Sequence, residues 1–418
     1  MSLQKKPLLV EDWAVVVLGF IIIIAAVMGL HFAAPSYGWA SSEKLLGEVL
    51  SPENLSKIGF QFVVAFIIAI FGAWLTGKPI RNTVIVFIVV FALSILALII
   101  SGSKLANDYN LEAVIFSLVV GLIVGNLVKL PEWFRETLTT EMFVKIGLVL
   151  LGTSVLFSDV LKTGSKGLIQ AVVVVISVWY FAYWVSKKMK VDEELGIMMA
   201  SAVSICGVSA AIATSGAIKG DSKKLSYVVS MVLLTAIPMM IFMPIIANAF
   251  HFPEAVTGAW LGGTIDTTGA VAASGTLVGD EALKVSTIVK FSQNVLLGIA
   301  AFAISVYWTV TKKENIAGVD QKPTLAIIWE RFPKFVIGFV AASLLFSFFI
   351  SEETIAAVKA PLKNMQTLWF VLAFTSIGLE TNFKELFRKN NAIAFGSFLI
   401  AQFFNIIITL IIAFLLFK

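Results

Sequence analysis

Cysteine is nearly absent: Cys206 is the only one among 418 residues. A single cysteine excludes an intramolecular disulfide and a thiolate metal cage. Histidine is almost as scarce, and His31 and His251 lie too far apart in sequence to suggest a histidine metal site. Charge is also in short supply. Only 14% of the residues are charged, against roughly a quarter in a soluble chain. Too few charges remain to cover a water-facing surface, which excludes a soluble enzyme, a disordered protein and a disulfide scaffold. No Walker loop, ABC signature or nucleophile–base pair occurs, so ATP-driven work and enzymatic catalysis are not expected, and no cofactor is implied.

Apolar residues fill the chain instead, at 59% of the total with a mean hydropathy of +0.95. Stretches near 20 residues fall at 12–33, 58–77, 83–101, 111–130, 142–158, 167–186, 225–250, 285–311, 333–350, 364–380 and 391–417. Each is long enough to span a bilayer as a helix. The first exceeds a typical signal h-region, so no cleavable signal is expected. Two further segments, 191–219 and 254–280, are apolar but rich in Gly, Ser and Thr. The expected fold is an all-α polytopic membrane protein of about eleven transmembrane helices and two broken or re-entrant segments. These form one transporter domain over 1–418, and the longest polar connections, near 34–57 and 312–332, leave no room for a soluble domain.

The net charge of +5 would suit nucleic acid, but the basic residues lie in the loops between apolar runs. With the N-terminus in the cytoplasm of a bacterial inner membrane, 20 of the 31 Lys and Arg fall inside and nine outside. That bias is the one the positive-inside rule requires. Lys145 and Lys290 remain within spans. Lys145, near a span end, is expected to snorkel.

The two Gly-rich segments resemble each other. Residues 210–221 read AAIATSGAIKGD and residues 269–280 read GAVAASGTLVGD, with six of twelve positions identical, including Ser-Gly and the final Gly-Asp. Basic loops flank 191–219 at both ends, whereas 250–257 has neither Lys nor Arg. Re-entry of the first segment keeps both basic loops on one side, and the second segment then enters from the other. Inverted repeats with interrupted helices are the signature of secondary transporters. The alternative is two ordinary spans packed through small residues.

Unwound backbone in a bilayer must line a cavity or be buried in protein. Ser204-Ile-Cys206-Gly207-Val-Ser209 and Gly262-Gly-Thr264-Ile-Asp266-Thr267-Thr268-Gly269 are the candidates for unwinding. Half-helices that start there leave N–H groups and a positive dipole end that suit an anion. Ser209, Thr267 and Thr268 are therefore candidate anion contacts, unless their hydroxyls bond back to their own helices. Asp266, an acid among apolar neighbours, is functional by default. It could bind a coupling cation, carry a proton or pair with Lys290. Lys290 could counter an anion or Asp266, or reach the interface if its span starts later. Gln293 and Asn294 add polar side chains within one turn of it.

The Ile205-Cys-Gly-Val-Ser-Ala210 element resembles a bacterial family of membrane proteins labelled sulfate exporters. So do Thr264-Ile-Asp-Thr with Val271-Ala-Ala273 and the helix carrying Lys290, and the resemblance runs from about residue 60 to the end. It implies an inverted-repeat carrier, distantly similar to sodium/proton antiporters and bile-acid-type sodium symporters, and often a homodimer. Three positions depart from the family pattern. No His precedes Asp266, Gly269-Ala270 stands where a Gln is usual, and Gln293 replaces an Arg. The expected function is secondary active transport of a small anion (sulfate, a sulfonate or a carboxylate) by an elevator-type motion of the broken segments. Na⁺ or H⁺ would be the coupling ion, with Asp266 as the coupling group. A cation/proton antiporter and an anion channel are the alternatives.

Overall fold

The computed structural model describes residues 7–30, 32, 34–108, 113–218, 220–312, 333–381 and 392–418. Most of the expected 312–332 connection lies outside them. Among the described residues the structure is helical, and the only strand-like pairing is one bridge between Trp39 and Ser103. In chain order the principal helices are α1 (Glu11–Val27), α2 (Pro52–Leu75), α3 (Ile80–Ser101), α4 (Ala113–Leu127), α5 (Thr140–Leu151), α6 (Phe157–Lys188) and α7 (Glu193–Ser201). They continue with α8 (Val208–Ile218), α9 (Ser222–Ala249), α10 (Glu254–Thr264), α11 (Thr268–Val278), α12 (Asp280–Lys312), α13 (Lys334–Phe348), α14 (Glu352–Glu380) and α15 (Ala392–Phe417).

Every apolar stretch predicted to span contains a helix, and α2, α3, α6, α9 and α15 are long and apolar enough to cross a membrane. This is a multi-pass membrane protein. Helix bounds depart from the apolar runs in both directions. α6, α12 and α14 begin five to twelve residues early, because charged first turns such as Glu352 and Glu353 of α14 continue the helix beyond its apolar part. The 142–158 stretch holds only the 12-residue α5, about 18 Å at 1.5 Å per residue, ended by a tight turn at Gly152–Ser154.

The chain divides into two compact units. One comprises Met1–Phe157 and Lys334–Asn382, the other Ser158–Pro333 and Phe383–Lys418. In the first, α14 packs against α4 and α5. Gly121 and Gly125, four apart on α4, let the backbones touch. A β-carbon at Gly121 would run into the Thr375 carbonyl oxygen, and one at Gly125 would fall 2.9 Å from that of Gly378. Small residues at this spacing are how membrane helices gain dispersion contact without a hydrophobic driving force. Ser94 of α3 adds a 2.9 Å hydrogen bond to Thr375. Lys145 does not snorkel. Its ammonium lies 3.0 Å from Asp12, 3.5 Å from Glu11 and 3.6 Å from Glu141, a carboxylate cluster in which it is 15% exposed. Three nearby acids offer more than the interface would.

The second unit is built on α12, against which α8, α10 and α11 pack. α6, α9 and α15 complete it. Its two Gly-rich segments are both interrupted helices, described next.

Candidate functional site

The first interrupted segment starts at Asp192, whose carboxylate caps α7 by accepting from the Leu195 N–H at 3.2 Å. After Ser201 the helix widens into a π-turn, Ala202–Cys206, and stops at Gly207. Gly207 has φ +59°, in the left-handed region that favours glycine. α8 then leaves in a new direction and packs alongside α7. The segment returns to the side it came from. Lys224, in the first turn of α9, holds the entry residue Asp192 at 2.6 Å and Glu194 at 3.0 Å. Both flanking loops therefore share one face, as their shared basic charge predicts.

The second segment repeats this plan. α10 ends at Thr264, Ile265 and Thr267 are extended about a bend at Asp266, and Thr267 caps α11 by accepting from the Ala270 N–H. At the far end, a β-carbon on Gly279 would fall 2.7 Å from the Glu254 carboxylate, so the end of α11 lies beside the start of α10. This is a second re-entrant hairpin. The 28-residue α9, about 42 Å long, separates the two, so they enter from opposite ends of it. Their tips meet: a β-carbon on Gly207 would lie 3.0 Å from the Asp266 carbonyl oxygen and 3.1 Å from its Cβ. The identical Ser-Gly and Gly-Asp positions fall on the returning helices α8 and α11 and just past them, so the duplication in sequence is one in structure.

Each broken helix leaves carbonyls past its last intrahelical N–H, and in a bilayer these need donors. Side chains of α12 and α15 supply them. Lys290 Nζ donates to the Ile205 oxygen at 2.8 Å, and Gln293 Nε2 donates to that of Gly263 at 2.9 Å. Asn405 Nδ2 donates to both Val203, at 3.1 Å, and Thr264, at 3.2 Å, so one amide ties the two hairpins together. Gln402 Nε2 adds a second bond to Thr264 at 3.1 Å, and Thr409 holds the Asn405 amide oxygen at 2.9 Å. Gln170 of α6 donates to Ala259 at 2.7 Å, and Trp260 to Ile406 at 2.9 Å.

Most of the residues singled out in sequence collect here, in different roles. Asp266 and Lys290 are both 1% exposed. The ammonium is committed to Ile205 and, at 3.0 Å, to Gln293 Oε1. No ion pair within 4.0 Å joins it to Asp266, although each feels the other's charge. Asp266 Oδ2 is buried with no hydrogen-bond donor, and so are Thr264 Oγ1 and Asn294 Oδ1. Asn294 Nδ2 reaches Thr268 Oγ1 at 3.4 Å. Thr267 and Thr268 are half-buried and Ser209 is exposed, all three at the starts of α8 and α11. Ser204 bonds back to Ala200 at 2.8 Å within its own helix, and Cys206 packs with Val175, Ala210 and Leu297. The Ser204 hydroxyl is thus spent within its own helix.

The family model described as conserved hypothetical protein 698 matches residues 85–395. The chain belongs to this family. Its relatives include a UPF0324 membrane protein of Rhodopirellula baltica, 41% identical over 312 residues, which are 72% of this chain and 57% of the relative. Two UPF0324 membrane proteins of Nitratidesulfovibrio vulgaris are 36% and 34% identical over 321 residues, 72% of this chain and 53% of each relative. The chain thus spans a little over half the length of these curated relatives. No solved structure matches. The region shared with the conserved hypothetical protein 698 family contains both hairpins and α12. It stops early in α15, before Gln402 and Asn405.

Those two amides, with Gln170 and Thr409, were not anticipated as parts of the site. The signal was present: Gln402, Asn405 and Thr409 lie three and four apart within an apolar run, on one helix face. Lone polar residues in a span carry the same warning as lone charges.

Proposed function

We propose that the protein is a secondary active transporter of a small anion. The observation that carries this reading is the pair of re-entrant hairpins whose returning helices, α8 and α11, begin where the tips meet. Helix starts leave N–H groups that favour negative charge. The Ser209, Thr267 and Thr268 hydroxyls surround them with further donors. Asp266 and Lys290, both 1% exposed, lie beside these helix starts. A carrier uses them to couple. Asp266 and Lys290 together are net neutral. An anion bound alone leaves one uncompensated charge in a low-dielectric site, and a cation bound with it removes that charge. Na⁺ or H⁺ at Asp266 is the coupling step, and alternating access moves the hairpin-bearing unit as a body.

The basic residues flanking the first hairpin support a cytoplasmic face there, and the charge bias of the loops along the sequence supports a cytoplasmic N-terminus in a bacterial inner membrane. Flux of radiolabelled sulfate, ethanesulfonate and propionate into proteoliposomes, with imposed Na⁺ or proton gradients, tests the reading. Saturable flux driven by one gradient and lost in Asp266→Asn is expected. Gradient-driven Na⁺/H⁺ exchange without added anion would establish the cation/proton antiporter instead.

A further inference from the structure

The buried acceptors at the hairpin tips bear on what the substrate carries besides its negative charge. Asp266 is the crux. Its carboxylate is 1% exposed, and Oδ2 receives no hydrogen bond. Lys290 gives two of its three N–H groups to the Ile205 carbonyl and Gln293 Oε1 and forms no hydrogen bond to Asp266. At the start of α11 the Ala270 and Val271 N–H groups are taken by Thr267 Oγ1 and the Thr267 carbonyl, which leaves those of Thr268 and Gly269 as the open donors. Thr264 Oγ1, two residues away, is also unpartnered and 1% exposed. Asn294 Oδ1, beside Thr268, is unpartnered and 6% exposed. Donors for an anion and acceptors without donors therefore stand within a few residues of each other along Thr264–Thr268.

A sulfate ion fills half of such a site. It accepts from the helix starts but offers nothing to Asp266, whose buried carboxyl must then take up a proton or stay uncompensated. Charge gives the same answer. The site is neutral before anything binds, so a ligand that is itself neutral overall but charged at both ends adds no net charge. We infer that the substrate is a small zwitterion, a sulfonate or carboxylate bearing an ammonium group. Its anionic group lies on the starts of α8 and α11 near Ser209 and Thr268, and its ammonium on Asp266. The inference rests on the anion-carrier reading above and changes one part of it: the substrate's own ammonium takes the place at Asp266 that the reading gives to Na⁺ or H⁺.

Matched ligands test this on the full-length purified protein, by thermal shift and by calorimetric titration. The pairs are 2-aminoethanesulfonate with ethanesulfonate and β-alanine with propionate, beside sulfate, in Na⁺ buffer and in choline buffer. Both pairs differ only in the ammonium. The expected result is binding of the amino member at least roughly tenfold tighter than its parent, in both buffers, about 1.4 kcal/mol. Asp266→Asn removes the difference between the members of a pair. Asp266→Glu, which keeps the charge, retains part of it. The comparison on the unmodified protein decides the matter even if the variants fold poorly. Equal binding of ethanesulfonate or sulfate overturns the zwitterion, and so does binding of the parent anions only in Na⁺, while either leaves the anion carrier standing. Failure of every anion and zwitterion to bind overturns both.

Discussion

Replacing Asn405 by leucine removes a side chain that bonds to both hairpins. Three groups lose a partner: the Val203 carbonyl its donor, the Thr264 carbonyl one of its two donors, and the Thr409 hydroxyl its acceptor. Thr264 keeps Gln402. Hydrogen bonds between membrane helices average roughly 0.6 kcal/mol, and a buried carbonyl left without a donor costs about 1–3 kcal/mol. The expected loss is therefore about 3 kcal/mol, with leucine's similar volume limiting any cavity term. Unfolding of a large membrane protein is seldom reversible, so the quantity to measure is the half-life at fixed temperature in detergent, by size-exclusion chromatography. Ser177→Ala is the control, because that hydroxyl bonds back to Val173 of its own helix and should change stability by less than about 0.5 kcal/mol. Gln402→Leu added to Asn405→Leu should cost more than the two singly, since together they strip Thr264 of both donors. Wild-type half-lives for Asn405→Leu and for the double variant would refute the idea that these amides hold the broken backbone.

Gly207→Ala should cost more than about 1 kcal/mol, because its φ is +59° and a β-carbon would lie 2.7 Å from Val232 Cγ1; melting as high as the wild type would argue against a break there. Lys290→Met should destabilise by about 1–3 kcal/mol by orphaning the Ile205 carbonyl, and it removes the positive charge that Asp266 feels. Adding Asp266→Asn should recover about 1 kcal/mol or more, and strict additivity in a thermal double-mutant cycle would deny the coupling. At the base of the first hairpin, Asp192→Ala should cost about 1 kcal/mol at pH 7 through the lost helix cap, with the exposed pair to Lys224 adding at most about as much again. Burial works to raise the Asp192 carboxyl, but hydrogen bonds from Lys224 and the Leu195 N–H, with the Lys224 charge, hold it below the usual carboxylate range. A depressed carboxyl stabilises above its unfolded value, near 4, and stops doing so as pH falls through the folded value. The gap between Asp192→Ala and wild type should thus close on acidification below about pH 4, and a constant gap would contradict the assignment.

The architecture was legible wherever composition carries the information. Apolar runs located the helices, and the loops' charge gave the first hairpin its re-entry before Lys224 and Asp192 were seen in contact. The repeated Ser-Gly and Gly-Asp positions disclosed two copies. Helix bounds were less legible, since a run such as 364–380 shows where a helix is apolar and not where it starts. The site was legible in its charges and breaks: Asp266, Lys290 and Gly207 all meet at the tips. It was not legible in its amides. Gln402 and Asn405 are distant in sequence from both hairpins, and only the fold reveals that broken helices need donors from a third element. The hydroxyl of Ser204 misled for a local reason, because a helical serine can satisfy itself on the carbonyl four residues back.

Whether the two segments re-enter from opposite faces can be decided by side-specific labelling. Single cysteines replace Lys187, Asp221, Phe250 or Asp280 in a Cys206→Ser background, and a membrane-impermeant maleimide is applied to right-side-out and inverted vesicles. Re-entry predicts that positions 187 and 221 label from one side, and 250 and 280 from the other. Labelling of 187 and 221 from opposite sides would mean that the first segment crosses the membrane, and the meeting of the two tips would fall with it.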